Sequence, residues 1–178
     1  MKLEFFLSEL GSKKGAPGGG AAAALTGALG AGLVEMVARI NDARSGQSSN
    51  TARRAAVFRE ALRKLIAKDA KAFLRIQALC KTRKKNINSW QGALKTGVAV
   101  PFQICEACVA ASDLAQAEKG RTSDWLQSDL KESRILLRAA FEAAGLNVGV
   151  NLKEITDDAF CVKTRGKMKK WRQRLQRS

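Results

Sequence analysis

The fold is decided where the chain passes from loop into helix, at Pro17-Gly18-Gly19-Gly20-Ala21-Ala22-Ala23-Ala24-Leu25. Three consecutive glycines leave the main chain bare, and the alanines that follow start a helix. Unpaired N–H groups in the first turn of such a helix attract an anionic or carbonyl-bearing ligand. The alternative is a flexible hinge before a helix. No Gly-Lys-Ser/Thr closes the loop and no strand precedes it, so it is neither a P-loop nor a dinucleotide fingerprint.

Helical periodicity continues outward from this stretch in both directions, and no segment alternates with period two. We therefore predict that residues 1–178 form a single all-α domain, a multi-helix bundle with about five long helices and short terminal helices. Pro101 is expected to kink the fourth helix or to begin a new segment. The predicted helices cover 3–10, 21–42, about 51–80, 88–118 and 124–144, followed by an extended link at 147–152 and a last basic helix.

The residue types that are missing restrict the chemistry. The chain has no histidine and no tyrosine, so serine–histidine triads and histidine metal sites are excluded, and acid–base work falls to Asp, Glu, Lys, Cys or water. Cys105-x-x-Cys108 suggests zinc or redox chemistry, but Cys80 and Cys161 would have to converge on that pair. Buried reduced thiols are the preferred interpretation, and they predict a cytoplasmic protein.

The net charge of +16 predicts an anionic partner. Residues 163–178 contain eight basic residues and no acidic one, and we predict a basic C-terminal helix or tail there. Nucleic acid, an anionic membrane and a multiply charged metabolite all fit such a surface, and a solvated tail that aids solubility is the alternative. Residues 21–40 are apolar but contain Glu35 and Arg39, so we expect no membrane span.

Asp69 and Asp129 are the candidate acid–base residues. Asp69 falls where the helical period calls for an apolar residue, between Leu65 and Phe73, so its carboxyl is expected to be partly desolvated. A surface aspartate at the edge of the apolar stripe is the alternative. Asp129 lies one position off the core stripe of the fifth helix, where it either serves chemistry or stabilises the helix dipole.

Asn147 and Asn151 bracket two valines in the predicted extended link. Their amides can satisfy irregular backbone, or they can read a planar, amide-like ring of a ligand. The spacing alone leaves both possibilities open.

Eight segments of the chain form a recognisable series. They are Phe6-Leu7-Ser8-Glu9-Leu10, Ala16-Pro17-Gly18-Gly19-Gly20, Gly27–Ala31, Leu33–Ala38, Asp69–Phe73, Val100-Pro101-Phe102, Ser128-Asp129 and Asn147-Val148-Gly149-Val150-Asn151-Leu152. Taken in this order, they resemble the cyclodeaminase/cyclohydrolase family, which includes formiminotransferase-cyclodeaminase and methenyltetrahydrofolate cyclohydrolase. The resemblance covers most of the chain. It departs at Ala21, where the family often has serine, and at Leu130-Lys131, where small residues are usual.

The resemblance implies a homodimeric helical bundle that opens or closes the one-carbon bridge between N5 and N10 of tetrahydrofolate, with neither a metal nor another cofactor. It implies hydrolysis of 5,10-methenyl-tetrahydrofolate to the 10-formyl compound, deamination of the 5-formimino compound, or both. The expected partner is a folate, with or without a polyglutamate tail. Catalysis is expected at Asp69 and Asp129, and substrate binding at Pro17, Gly18, Gly19, Gly20, Asn147 and Asn151.

Two other functions remain open from the sequence. One is a catalytically degenerate homologue whose basic surface, at 163–178 and at the turn Lys81–Lys85, binds nucleic acid or another acidic partner. The other is a folate-binding subunit that passes its substrate to a partner enzyme.

Overall fold

The computed structural model describes residues 2–177, so Met1 and Ser178, the ends of the predicted domain, lie outside the described residues. Within that range every regular element is helical, which confirms the predicted all-α class. The elements are α1 (Leu3–Leu10), α2 (Gly19–Ser45), α3 (Thr51–Cys80), α4 (Ile87–Glu118), two single 3₁₀ turns (Lys119–Arg121 and Asp124–Leu126), α5 (Gln127–Leu152) and α6 (Asp158–Arg177).

Helices α2 to α5 form a four-helix bundle in which α2 and α4 each pack along both α3 and α5. Small residues of α2 allow this close packing. A Cβ at Gly27 would lie 3.0 Å from Cys108 Sγ and 3.2 Å from Leu62 Cδ2, on two different helices. At Gly30 it would lie 2.9 Å from the carbonyl oxygen of Ser133. Contact with three helices compensates for the low helix propensity of glycine.

The predicted end of the fifth helix is wrong. Instead of stopping at Gly145 and giving way to an extended link, α5 continues to Leu152. Phe141, Ala144, Val148 and Leu152 are all buried at helical spacing. Their burial outweighs the cost of about 1 kcal/mol for each glycine inside the helix.

Pro101 does not begin a new segment, because α4 runs through it without interruption. Proline has no N–H to donate to the carbonyl four residues earlier, which is that of Gly97. The side-chain Nδ2 of Asn151 on α5 donates to that carbonyl oxygen at 2.8 Å. The bundle therefore supplies the hydrogen bond that the proline removes.

The buried-thiol prediction holds for Cys105, Cys108 and Cys161, but Cys80 is exposed at the end of α3. Burial raises the pKa of the Cys105 thiol to about 12 and raises that of Cys108 further. In residues 2–177, no three Cys, Asp or Glu side chains come together as a possible metal-binding group.

Helices α2 and α5, which pack against each other, each expose large apolar residues: Leu29 and Met36 on α2, and Leu146 and Val150 on α5. We call the outer surface of these two helices the α2/α5 face. In the described part of the chain, 19–45, 87–121 and 124–152 are long and apolar enough to cross a membrane by length and composition. These segments also supply much of the bundle core, and the absence of a membrane span remains a prediction.

Candidate active site

A cleft of about 420 Å³ opens at the end of the bundle where α2 begins. The main chain of Gly18, Gly19 and Gly20 forms one part of its lining, and side chains of α3, α4 and α5 form the rest. Gly18 is the N-cap residue of α2 and offers no side-chain hydrogen bond to the first turn. The first-turn N–H groups of α2 therefore face this cleft without a local cap.

Asp69 of α3 takes the place of that missing cap. Its carboxyl lies so close to Gly20 that a Cβ there would be 2.5 Å from Asp69 Cγ and 2.6 Å from Oδ2. Only glycine allows this approach. Burial raises the pKa of the Asp69 carboxyl, and the backbone N–H of Ala21 beside it opposes the rise in part. The cleft therefore contains a carboxyl that holds its proton more tightly than a surface aspartate does.

Asn147 and Asn151 lie one helical turn apart on α5, and both line the cleft. Asn151 Nδ2 donates its hydrogen bond to the Gly97 carbonyl oxygen of α4. Asn147 Nδ2 makes only a long 3.4 Å contact with the carbonyl oxygen of Ala143 on its own helix. Asn151 is therefore fixed by the fold, whereas Asn147, whose Nδ2 lies near Gly19, is the freer amide for a ligand.

Two of the predicted site residues lie elsewhere in this chain. Pro17 lines a separate cavity of about 400 Å³ under α1, together with Phe6 and Leu25. Asp129 is in the first turn of α5 and does not line the cleft. It is 18 residues from Asn147 on the same helix, which corresponds to about 27 Å of helix rise. The chain brings Asp69, the three glycines and both asparagines together, but not Asp129.

Sequence reasoning missed the apolar wall of the cleft. Phe73 and Ile76 follow Asp69 on one side of α3 and face the cleft with Trp90 of α4. Phe73, which the sequence places on the apolar stripe beside Asp69, is 43% exposed, and Cys80, whose thiol we expected to be buried, is also exposed. The signal was present in the spacing, because residues 69, 73, 76 and 80 recur at helical intervals.

The mouth of the cleft is charged. Arg83, in the turn between α3 and α4, and Glu154, just after α5, both line it. Their nearest charged atoms are 3.8 Å apart, and each side chain is about half exposed. This loose pair contributes little to stability. The arginine is therefore available to an anionic group that enters from solvent.

The comparisons with known proteins agree with this helical architecture. The model of the formiminotransferase-cyclodeaminase family matches residues 2–170. The chain belongs to that family. In three dimensions it matches the crystal structure of formiminotetrahydrofolate cyclodeaminase from Thermotoga maritima with a TM-score of 0.84 and 25% identity, over 99% of this chain and 94% of that one.

Two curated relatives show the range of activities in the family. Methenyltetrahydrofolate cyclohydrolase of Methylorubrum extorquens is 33% identical over 173 residues, which is 89% of this chain and 82% of that protein. Formimidoyltransferase-cyclodeaminase of Rattus norvegicus is 34% identical over 180 residues, which is 92% of this chain. The chain spans only 32% of the rat protein's length.

Proposed function

We propose that this protein is a folate one-carbon enzyme that hydrolyses 5,10-methenyl-tetrahydrofolate to 10-formyl-tetrahydrofolate, deaminates 5-formimino-tetrahydrofolate, or does both. One observation carries the proposal: the partly buried Asp69 carboxyl lies against the start of α2, inside a cleft with an aromatic wall. Family membership supports it, since relatives in the same family carry the names of these two activities.

In hydrolysis, the bridging carbon of the substrate shares a positive charge with N5 and N10. Asp69, in its ionised form, stabilises this cation and removes a proton from the water that adds to the carbon. The carbon–N5 bond then breaks, its electron pair goes to N5, and N5 takes up the proton held by Asp69. The hydroxyl on the carbon gives its remaining proton to solvent as the C=O bond of the formyl group forms. The formyl group remains on N10. A raised pKa makes Asp69 a stronger base than an ordinary aspartate, and the bound cation keeps it ionised.

In deamination, N10 attacks the formimino carbon on N5, and Asp69 takes the N10 proton. The same carboxyl returns a proton to the departing nitrogen, so ammonia leaves and the methenyl bridge forms. The first-turn N–H groups at Gly19 and Gly20 and the amide of Asn147 bind polar edges of the pterin ring. Phe73 and Trp90 pack against its face.

The mouth of the cleft suits the folate tail. The glutamate carboxylates point outward when the pterin is inside, and Arg83 lies at the rim with Lys81, Lys84 and Lys85 in the same turn. A polyglutamate tail would meet this basic turn first, with an attraction that salt weakens. We expect neither a metal nor another cofactor. A cytoplasmic location also remains a prediction, supported by the four unpaired cysteines.

We also propose a homodimer that uses the α2/α5 face. Asp129, Leu136, Ala143 and Val150 are seven residues apart and therefore follow one side of α5. Val150 at one end of this row lines the cleft, and Asp129 stands at the other end. A second copy that packs antiparallel on this face would bring the partner's Asp129 to the open side of the cleft. This arrangement is the one in which Asp129 could act on the substrate.

An absorbance assay tests the reaction. The protein is mixed with 5,10-methenyl-tetrahydrofolate, and the loss of methenyl absorbance is followed against buffer. Ammonia release from the 5-formimino compound is measured in parallel. We expect at least one reaction, with saturation in folate, and its loss in Asp69→Asn. No turnover of either compound by folded protein would reject the enzymatic proposal.

Subunit mixing tests the shared site. If Asp129 acts across the dimer, Asp69→Asn and Asp129→Asn are each inactive. Random mixing then makes half of the dimers hybrids, each with one intact site of two, and restores about a quarter of wild-type activity. An active Asp129→Asn protein would remove that residue from catalysis and leave the role of Asp69 intact.

A further inference from the structure

A second concave surface lies away from the cleft, between α4 and α6. Its volume is about 320 Å³. Phe102 of α4 and Phe160 of α6 provide aromatic lining, and Lys163 and Lys167 stand over it from α6. We call this concavity the α4/α6 groove.

The groove lies beside a row of cations. Lys163, Lys167, Lys170, Arg174 and Arg177 recur every three or four residues, so they follow one side of α6 over about 21 Å. Arg174 is paired with Asp113 at 2.8 Å. Within residues 2–177, the other four have no ion-pair partner. Like charges at this spacing destabilise a helix, so the row is not explained by the fold.

Aromatic rings accompany the cations. The rings of Phe102 and Trp171 are 4.7 Å apart between centroids, and both rings are partly exposed. Lys167 Nζ lies 5.8 Å from the Phe102 centroid and 5.9 Å from that of Trp171. Cations spaced along one line, with aromatic faces beside them, are the combination that binds single-stranded nucleic acid.

We propose that the α4/α6 groove and its cation row bind single-stranded nucleic acid. The phosphates follow the four free cations, and a base enters the groove and stacks on Phe102. Gln103 and Glu106 line the same groove on α4 and offer hydrogen-bond partners to the base edge. The site is separate from the cleft, so it does not depend on the proposed enzymatic function.

Two observations favour this ligand over an anionic membrane and over the folate tail. The apolar side of α6, with Cys161, Met168 and Leu175, is buried in the bundle and is not available to a bilayer. Trp171 lies beside the cation row, and its ring centroid is 4.7 Å from that of Phe102, so aromatic faces accompany the cations. A linear polypeptide anion would use the cations but has no bases to stack on the rings.

Fluorescence anisotropy with a labelled 12-nucleotide single-stranded DNA, repeated with RNA of the same sequence, provides the test. Four neutralised phosphates predict a slope of about −2.8 for log K against log salt. Affinity should therefore fall about 50-fold between 50 and 200 mM salt. The triple variant Lys163→Gln, Lys167→Gln, Lys170→Gln leaves one free cation of the row and should reduce that change to about 3-fold.

A control variant with the same net charge separates the effect of the cation row on binding from the effect of the overall charge. Lys13→Gln, Lys71→Gln and Lys119→Gln together remove three exposed lysines that lie outside α6 and outside the α4/α6 groove, and this variant should keep most of the slope. Equal slopes in the two triple variants would overturn the site. Both variants should keep methenyl-tetrahydrofolate turnover, so failure here is distinguishable from failure of the enzymatic proposal.

The aromatic part has its own test. Trp171→Leu should weaken DNA binding several-fold and abolish the quenching of tryptophan fluorescence on binding. Trp125→Leu is the control, because Trp125 is 69% exposed and far from α6 in sequence. Duplex DNA or poly-L-glutamate that binds as tightly as the single strand would overturn the assignment. So would preferential binding to vesicles of 30% phosphatidylglycerol in phosphatidylcholine.

Discussion

Replacing Gly20 by alanine is the most direct perturbation of the candidate active site, because it adds one methyl group beside Asp69. The added Cβ would overlap Oδ1 and lie 2.5 Å from Cγ and 2.6 Å from Oδ2. Ordinary contact begins at about 3.4 Å, so the carboxyl has to retreat by roughly 1 Å. It would thereby lose its position beside the Ala21 N–H and the first turn of α2.

Two opposing terms set the effect on stability. Alanine gains about 1 kcal/mol of helix propensity over glycine, and overpacking costs about 1–3 kcal/mol. The net destabilisation is therefore about 0–2 kcal/mol, which lowers the Tm by at most about 8 °C in a chain of this length. Activity should fall much further, because a misplacement of about 1 Å at a reacting group costs about 100-fold.

Gly149→Ala is the matched control. Gly149 lies inside α5, and a Cβ there meets nothing within 4 Å. This variant should raise the Tm by about 2–4 °C and leave folate turnover unchanged. Turnover and thermal unfolding are measured on both variants. A folded Gly20→Ala protein with wild-type turnover would refute the idea that the close approach of Asp69 to the start of α2 matters for chemistry.

Three further perturbations test other parts of the site. Asp69→Asn should lower turnover by about 10²- to 10⁴-fold. Because burial raises the folded pKa, the ionised carboxyl lowers stability at neutral pH, so this variant should unfold at an equal or higher temperature at pH 7. The difference in stability between this variant and the wild type should vanish as pH falls below the pKa of Asp69 in the folded state and then below its pKa in the unfolded state. A variant that is less stable than the wild type at pH 7 would contradict this account. A bulky maleimide should react at exposed Cys80 and block turnover, with protection by folate and no inhibition of Cys80→Ser. Asn151→Leu should lower the free energy of unfolding by about 1–3 kcal/mol, because the Gly97 carbonyl oxygen is left unpaired. Adding Pro101→Ala to this variant should recover part of the loss, because residue 101 then has an N–H that can donate to that oxygen. Strictly additive unfolding free energies in the double variant would argue against that coupling.

The helices were predictable to within a few residues wherever the apolar period was strong. The first turn of α2 was placed two residues late, at 21 instead of 19, because glycines rarely open a helix. The end of α5 could not be found locally, since Gly145 and Gly149 signal a stop there. The helix continues because the burial of Val148 and Leu152 outweighs the cost of the two glycines, and that burial depends on the three other helices of the bundle.

Site residues were predictable where the sequence pattern of a single helix identifies them. They were unpredictable where their role depends on how two helices pack against each other. Asp69 was conspicuous because it interrupts an apolar stripe. The pairing of Asn151 with the Gly97 carbonyl depends on where α5 meets α4, and no local pattern gives that register. Asp129 was selected from its position near a core stripe, and the length of α5 then separates it from Asp69 within one chain.

The terminal helices and the proposed dimer surface occupy different sides of the bundle. Helix α1 lies over the α2–α3 side, where Phe6 packs near Leu25, and α6 packs on α4 and α5. The α2/α5 face keeps an apolar surface that includes Val150, a residue of the cleft wall. A protein with a net charge of +16 repels a second copy of itself, so the proposed dimer needs a surface on which apolar contact outweighs this repulsion. The proposed dimer uses α2 and α5, whereas the proposed nucleic-acid groove lies between α4 and α6, so the two proposals can be tested independently.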